Sequence, residues 1–333
     1  MSETKKINFC LVGAGRISQV HGKTLSEHPG VKVKYVVDII ESAAKKLAKD
    51  IGAEVSSIET ALNDDSIDAV MIGSPTNTHA DLIERFAQAG KAVFCEKPVD
   101  LDIARARDVA QIVKETGTTC AIGFNRRFDQ TFGQLHSQLK EGRIGKLEQV
   151  IITSRDPLPP PAEYVKVSGG IFRDMMIHDL DIARWLLDEE PVEVMASGSC
   201  VVDPAIGEAG DIDSAMVVLK TASGKLCQIT NCRRAAYGYD QRIEAFGEKG
   251  MLQANNHRMH EVQFSGEEGV VADKPKFFFL ERYLPAFRTE LQDFVDSILN
   301  NRAPVATIED GVRALELADA CLESYKTGKV VKL

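Results

Sequence analysis

Three side chains near the middle of the chain have the types and spacing to move a proton. In the stretch 169–185, GGIFRDMMIHDLDIARW, Asp174 and His178 stand at i and i+4, and Asp181 follows three residues later. On one helix entered through the glycine pair, all three fall near one face. A carboxylate one turn from an imidazole can fix its tautomer and exchange protons with it, as general acid–base chemistry requires. The same stripe also fits an ordinary helix with a solvated acidic face, its other side buried through Ile171, Met175, Leu180, Ile182 and Trp185. The elements around it decide between the two.

A second constellation lies at the start. The apolar run 7–12 ends in Gly13-Ala14-Gly15-Arg16-Ile17-Ser18, and strand, glycine turn and helix in that order make a dinucleotide fingerprint credible. Gly13 permits the tight turn, and Gly15 lets the backbone approach a pyrophosphate at a helix N-terminus, beside Arg16 and Ile17. Ser18 replaces the third glycine, and a small residue still lets helix and strand pack closely. The run 33–37 ends in Asp38, where such folds place an acid on the ribose hydroxyls. Ile39 and Ile40 follow, with no cation to neutralise a 2′-phosphate, so NAD is expected in preference to NADP.

The alternation continues through a helix at 42–51, strands at Ala69–Ile72 and Ala92–Cys95, helices at 78–89 and 102–115, and a strand at 119–123. Strands alternating with helices imply a parallel sheet, and ligands bind beyond the carboxyl ends of its strands. That edge gathers Gly13, Asp38, Ser74-Pro75-Thr76, Glu96-Lys97-Pro98 and Asn125-Arg126. Lys97, at the end of a buried strand, can put a cation beside a nicotinamide or a substrate oxygen; on an exposed loop it would be half of a surface pair. His79 opens the helix after SPTNT and is expected to be structural or adjacent to the cofactor.

From Asn125 the pattern changes, so the chain is expected to divide into a nucleotide-binding domain, 1–124, and a second domain, 125–333. A helix at 128–140 and a strand at 147–153 lead into a proline-rich loop, 157–170, read as a semi-rigid wall over the site. Strands at 192–202, 214–219, 226–231 and 242–246, separated by turn signals, predict an antiparallel sheet. Helices at 286–300 and 308–325 close the chain, the second starting at Thr307 with Asp310 three residues on, close to a capping box. Tyr237 can serve the active site or a subunit interface.

Composition narrows the class. The chain has 333 residues, 44% of them hydrophobic, and a net charge of −9 with no basic block, which argues against nucleic acid. Seven single cysteines, none in a CxxC pair, read as buried thiols in a reducing cytoplasm. The basic start MSETKK precedes an apolar run too short for a signal peptide, and no stretch approaches the roughly 20 apolar residues of a membrane span. His257 and His260 are spaced for a metal but have no pattern of carboxylate or thiolate partners, so no metal is expected.

Together, GAGRIS, SPTNTHADLIERFAQAGKAVFCEKPVDLD and GGIFRDMMIHDLDIARW resemble the glucose-fructose oxidoreductase/inositol dehydrogenase/rhizopine catabolism (Gfo/Idh/MocA) family over essentially the whole chain. TSRDPLPPP and YGYDQR look most like its inositol-oxidising branch. The resemblance implies a Rossmann half followed by an open, mostly antiparallel sheet with helices on one face, whose exposed face joins subunits into a homotetramer. It puts the catalytic lysine on Lys97, the aspartate on Asp174 and the histidine on His178, with Asp181 as a substrate-contacting acid. A histidine common in the strand before the proline loop is absent, and Ser154-Arg155-Asp156 stands there instead. The implied activity is NAD-dependent oxidation of a hydroxyl of a cyclic polyol, myo-inositol first, with another inositol isomer, a pyranose or an anhydrosugar as rivals. Family members that use NAD to cleave glycosides are a further alternative. Asn125, Arg126, Asp156 and Tyr237 add polar groups for substrate hydroxyls, each of which must find a partner when buried.

Overall fold

Short apolar strands followed by glycine or polar turns build the first half. The computed structural model describes residues 6–333. In chain order the elements are β1 (Ile7–Val12), α1 (Arg16–Glu27), β2 (Val31–Val37), α2 (Glu41–Ile51), β3 (Glu54–Val55), α3 (Ile58–Asn63), β4 (Ala69–Ile72), α4 (His79–Gln88), β5 (Ala92–Cys95), α5 (Ile103–Thr116) and β6 (Cys120–Ile122). The strands form one parallel sheet in the order β3-β2-β1-β4-β5-β6, and the strand order, not the strand direction, reverses at β1 and β4. That reversal is the switch point at which doubly wound sheets bind ligands. Helix 78–89 differs from its expected form. Thr76–Thr78 is a single 3-10 turn, and α4 starts at His79 with no side-chain cap.

The second half contains α6 (Gln130–Lys140), β7 (Leu147–Arg155), α7 (Ala162–Ser168), a π-helical turn (Phe172–Met176), α8 (Ile177–Leu187), β8 (Pro191–Ser199), α9 (Pro204–Glu208), β9 (Ser214–Thr221), β10 (Leu226–Cys232), β11 (Asp240–Gly247), β12 (Gly250–Ala254) and the hairpin β13 (Gln263–Gly266) and β14 (Gly269–Ala272). The helices α10 (Phe279–Asn300) and α11 (Ile308–Thr327) and the strand β15 (Val331–Lys332) end the chain. The larger sheet runs β12-β11-β7-β10-β9-β8-β15. Its pairs are antiparallel except β7 with β10, which run parallel, so the sheet is mixed where the turn signals alone predict an antiparallel one. Strand β9 shows the alternation of a one-sided sheet: Ala215, Val217 and Leu219 are buried, while Met216 and Val218 face outward. Its inner residues pack with Ile182, Ala183 and Leu186 of α8 and Leu317 and Cys321 of α11.

The chain divides into two compact units, the described residues up to Phe128 with Pro285–Leu315, and Asp129–Leu284 with Glu316–Leu333. The segment 285–315 therefore belongs with the first unit. Phe294 on α10 meets Phe9 and Phe94 edge-on, with ring centroids 6.0 and 5.7 Å apart, inside the core of the parallel sheet.

Three further expectations are corrected. The stretch 169–185 is not one regular α-helix, because Asp174 sits within the π turn and α8 begins only at Ile177. The proline-rich loop ends at Pro161, whose fixed φ suits a helix start, and 162–168 is the helix α7. Helix α10 starts at Phe279, not 286, and carries Pro285 inside it. The carbonyl of Glu281, four residues before a proline that has no N–H to offer, accepts instead from Lys276 Nζ at 3.3 Å. The capping box at α11 forms as expected: Thr307 N–H donates to Asp310 Oδ2 at 2.9 Å, and Asp310 N–H to Thr307 Oγ1 at 3.3 Å.

All seven cysteines are free, and burial pushes the Cys10 and Cys120 thiols up to about 12. No described helix is long and apolar enough to cross a membrane. One buried acid is conspicuous. Glu290 on α10 is 2% exposed, and burial, then Glu96 and Asp293, raise its carboxyl well above the ordinary range. A carboxyl raised in the folded state stabilises it below the unfolded-state value near 4, and that contribution is lost as pH rises. Glu290→Gln is therefore expected to raise Tm by a few degrees at pH 8 and by less at pH 5, as thermal unfolding at the two pH values will read. An equal gain at both would show Glu290 ionised in the fold.

Candidate active site

In the first unit, the carboxyl edge of the parallel sheet is built from glycine and polar turns. Gly13 follows β1 at φ +101°, and a Cβ there would lie 2.8 Å from the backbone of Gly73 and Ser74, so no larger residue fits. Gly15 precedes α1 with extended backbone, and a Cβ on it would meet no described atom within 4 Å. Gly15 gives the first turn of α1, led by Arg16 and Ile17, no side-chain cap and leaves room beside it, which is the form of an anion cradle. Ser18 is fully buried and donates to Gly73 O at 3.0 Å, tying α1 to the end of β4 where a third glycine would only have made room.

Asp38 closes the adjoining turn. Its Oδ2 accepts from Ala14 N–H at 2.6 Å and its Oδ1 from Ile40 N–H at 2.7 Å, so the carboxylate is fixed beside the glycine turn. Ile39 is 99% exposed and places no cation there. A glycine turn shaped for close approach, an open helix N-terminus and a fixed acid at the end of β2 fit a dinucleotide carrying a free ribose 2′-hydroxyl.

The loops after β4 and β5 are joined by His79. Its Nε2 lies 2.8 Å from Ser74 O and its Nδ1 2.7 Å from Pro98 O, with the ring buried. Ser74 Oγ also pairs with Thr78 Oγ1 at 2.6 Å, beside Thr76. Glu96 points into the unit: its Oε1 lies 2.7 Å from His21 Nε2, and its Oε2 accepts from Lys97 N–H at 3.3 Å. Lys97 is half-buried, at a cis peptide bond to Pro98. Asn125 and Arg126 lie buried in the 3-10 turn after β6. Arg127, which sequence reasoning passed over, donates to Val305 O at 2.8 Å and to Asp310 Oδ1 at 2.9 Å.

In the second unit, Asp174 and His178 are both half-buried on the π turn and the start of α8, and Asp181 is almost wholly buried one turn on. Asp174 Oδ1 accepts from Tyr164 OH on α7 at 2.8 Å, and its Oδ2 faces Arg233 at 3.3 Å. Neither partner was singled out from the sequence. Arg233 directly follows β10, and no local pattern there marks it as a partner of Asp174. Asp179, also passed over, is fully buried and accepts from Asn231 at 2.9 Å.

Asp156 follows β7, its N–H donating to Cys232 O at 3.0 Å. Tyr237 is tied down nearby: its hydroxyl donates to Asp240 Oδ2 at 2.5 Å and accepts from Arg155 at 2.8 Å. Burial and the Asp240 carboxylate push the Tyr237 phenol above its ordinary value. His257 lies 2.7 Å from Thr131 Oγ1, and burial followed by the Arg282 charge lowers it from the usual histidine range. His260 instead faces Asp273 at 3.5 Å, so the two histidines have separate partners.

Comparison with known proteins accords with both halves. Residues 7–124 match the model for an oxidoreductase family's NAD-binding Rossmann fold, and 136–333 match that family's C-terminal alpha/beta domain. The chain is 48% identical over 327 residues to the inositol 2-dehydrogenase of Rhizobium meliloti, covering 98% of this chain and 99% of that protein. The solved myo-inositol dehydrogenase of Corynebacterium glutamicum superposes with a TM-score of 0.95 at 43% identity, covering 98% and 99% of the two chains. The scyllo-inositol dehydrogenase of Lactobacillus casei, solved with NAD(H) and scyllo-inositol bound, superposes with a TM-score of 0.91 at 30% identity over 98% and 99%. The fingerprint turn, the fixed Asp38 and the matched halves lead to one conclusion: the chain belongs to the Gfo/Idh/MocA family of NAD-binding oxidoreductases.

Proposed function

We propose that the protein is an inositol 2-dehydrogenase, oxidising the 2-hydroxyl of myo-inositol to a ketone with NAD. The observation that carries this reading is 48% identity to an inositol 2-dehydrogenase along nearly the full length of both chains. Bound NAD supplies the acceptor for the hydride that leaves the ring carbon. The chain's own residues must take the hydroxyl proton and stabilise the charge that develops on oxygen.

His178 is the base, because a neutral imidazole is available near pH 7. Asp174 orients that imidazole and stabilises the imidazolium. Lys97 offers the developing alkoxide a fixed cation. Asn125, Arg126, Asp156, Asp181 and Tyr237 are the polar groups assigned to the remaining ring hydroxyls. In the cradle, Gly13, Gly15, Arg16 and Ile17 hold the pyrophosphate and Asp38 the ribose, while Ser74, Thr76, His79, Glu96 and Asn125 shape the nicotinamide end.

We also assign a homotetramer in the cytoplasm. The outer face of the larger sheet exposes Met195, Met216, Val218, Phe246 and Met251, and an apolar face of that kind suits a second subunit. Size measurement in solution tests this, and a monomer at working concentration would remove the assignment.

The activity is tested with a panel of inositol isomers and aldoses, each with NAD and NADP. NADH production from myo-inositol well above that from any aldose is expected; release of sugar from a glycoside without net NADH would point to the glycosidase chemistry. Asp38 predicts a preference for NAD over NADP of at least about tenfold in kcat/KM, or roughly 1.4 kcal/mol. Asp38→Ser with Ile39→Arg should narrow that ratio. Equal efficiency with both cofactors in the unaltered enzyme would show that Asp38 does not hold the ribose.

A further inference from the structure

Arg233 is one of the most completely buried large side chains in the protein, at 2% exposure. Its backbone N–H donates to Asp213 O at 2.8 Å, which fixes the chain just beyond β10. From there Nη1 and Nη2 reach Asp174 Oδ2 at 3.4 and 3.3 Å, and Nη2 lies 3.8 Å from Asp211 Oδ2. Its Nε is buried and has no hydrogen-bond partner among the described residues. Taking a guanidinium out of water is costly, and an incompletely bonded one is a poor source of stability. Its position calls for another explanation.

The other side of the guanidinium supplies one. Asp211 Oδ1 accepts from Ile171 N–H at 3.1 Å, so the same carboxylate that faces Arg233 also anchors the entry to the π turn. Gly170 makes that approach possible: its φ is +81°, and a Cβ there would lie 2.8 Å from Asp211 Oδ1. Asp174 sits two residues into the turn, gripped on Oδ1 by Tyr164 and on Oδ2 by Arg233. Asp211, Arg233 and Asp174 therefore form a row of alternating charge that begins at the backbone of the helix carrying Asp174.

We infer that Arg233, braced by Asp211, is a positioning residue that sets the aim of the Asp174 carboxylate for its work on His178. This rests on the role proposed for Asp174 above. Without the cation, two carboxylates share a poorly hydrated space, and Asp174 is drawn off by repulsion and by water. A lysine restores the charge but not the two Nη–H groups that converge on Asp174 Oδ2.

The test compares Arg233→Met and Arg233→Lys in the full-length enzyme. Arg233→Met is expected to lower kcat about 10- to 100-fold, the range for residues that orient an active-site group. KM for the polyol and the NADH dissociation constant, read by fluorescence titration, should each stay within about threefold. Arg233→Lys should recover about three- to tenfold of the lost kcat. In an Asp174→Asn background, Arg233→Met should cost nearly nothing more, since the two act as a unit.

Wild-type kcat in Arg233→Met overturns the inference. So does a loss confined to KM, which would make Arg233 a direct substrate contact, or full multiplicative loss in the double variant. If Arg233→Met does not accumulate as folded protein, Arg233→Lys decides alone, with a three- to tenfold loss of kcat at unchanged KM expected and wild-type kcat overturning the idea. All rates are ratios to the unaltered enzyme on whichever polyol it oxidises. Failure of the unaltered enzyme on every inositol thus sinks the inositol reading, and an unaffected Arg233→Met sinks this one.

Discussion

His178→Ala is expected to lower kcat for polyol oxidation by about two to four orders of magnitude, the range for a positioned acid–base group. The unaltered enzyme should lose activity as pH falls, because only the neutral imidazole accepts the hydroxyl proton. The variant should lose that acid limb along with its rate. NADH affinity should be nearly unchanged, since Gly13, Gly15 and Asp38, the residues proposed to hold the dinucleotide, all lie in the first unit. Steady-state rates from about pH 6 to pH 10, together with NADH titration, separate these effects. A variant that kept its rate and its acid limb would move the base elsewhere, with Asp174 first in line.

Lys97→Ala carries the second large effect. Removing one fixed donor from a developing oxyanion typically costs about 10²- to 10³-fold in kcat, and a loss of that size is expected here. Lys97→Arg should recover little. Lys97 is half-buried at the end of β5, and a compact ammonium on a flexible stem does not share its geometry with a planar guanidinium. NADH should still bind both variants. If Lys97→Ala kept a near-normal kcat, the lysine would revert to an ordinary loop cation whose pairing contributes little.

Both predictions concern residues that the chain advertises locally. Gly13, Gly15 and Asp38 are legible because a tight turn, a close backbone approach and a ribose-binding acid each demand a residue type at one place relative to a strand. The strands Ala69–Ile72 and Ala92–Cys95 have the bounds read from their apolar runs, since buried parallel strands are continuous apolar stretches bounded by polar turns. Thr307 and Asp310 cap α11 as their spacing suggests, because a capping box is complete within four residues.

What lies beyond one or two turns of chain was decided by packing. The i and i+4 spacing of Asp174 and His178 was readable, but not the π turn that holds Asp174, whose entry Asp211 anchors through the Ile171 N–H. Asp174 meets Arg233 from 59 residues away, and no periodicity in either segment encodes that meeting. The parallel pairing of β7 with β10 likewise arises because β7 is inserted between β10 and β11. Helix α10 runs through Pro285, and Lys276 from outside the helix bonds the carbonyl the proline leaves unserved. The sequence by itself therefore determined the glycine turn with its fixed acid and the close spacing of Asp174 and His178, the pair proposed to move the proton, because each rests on neighbours in the chain. Only the tertiary structure decided what surrounds Asp174, because buried charges are placed by partners that folding brings from distant segments.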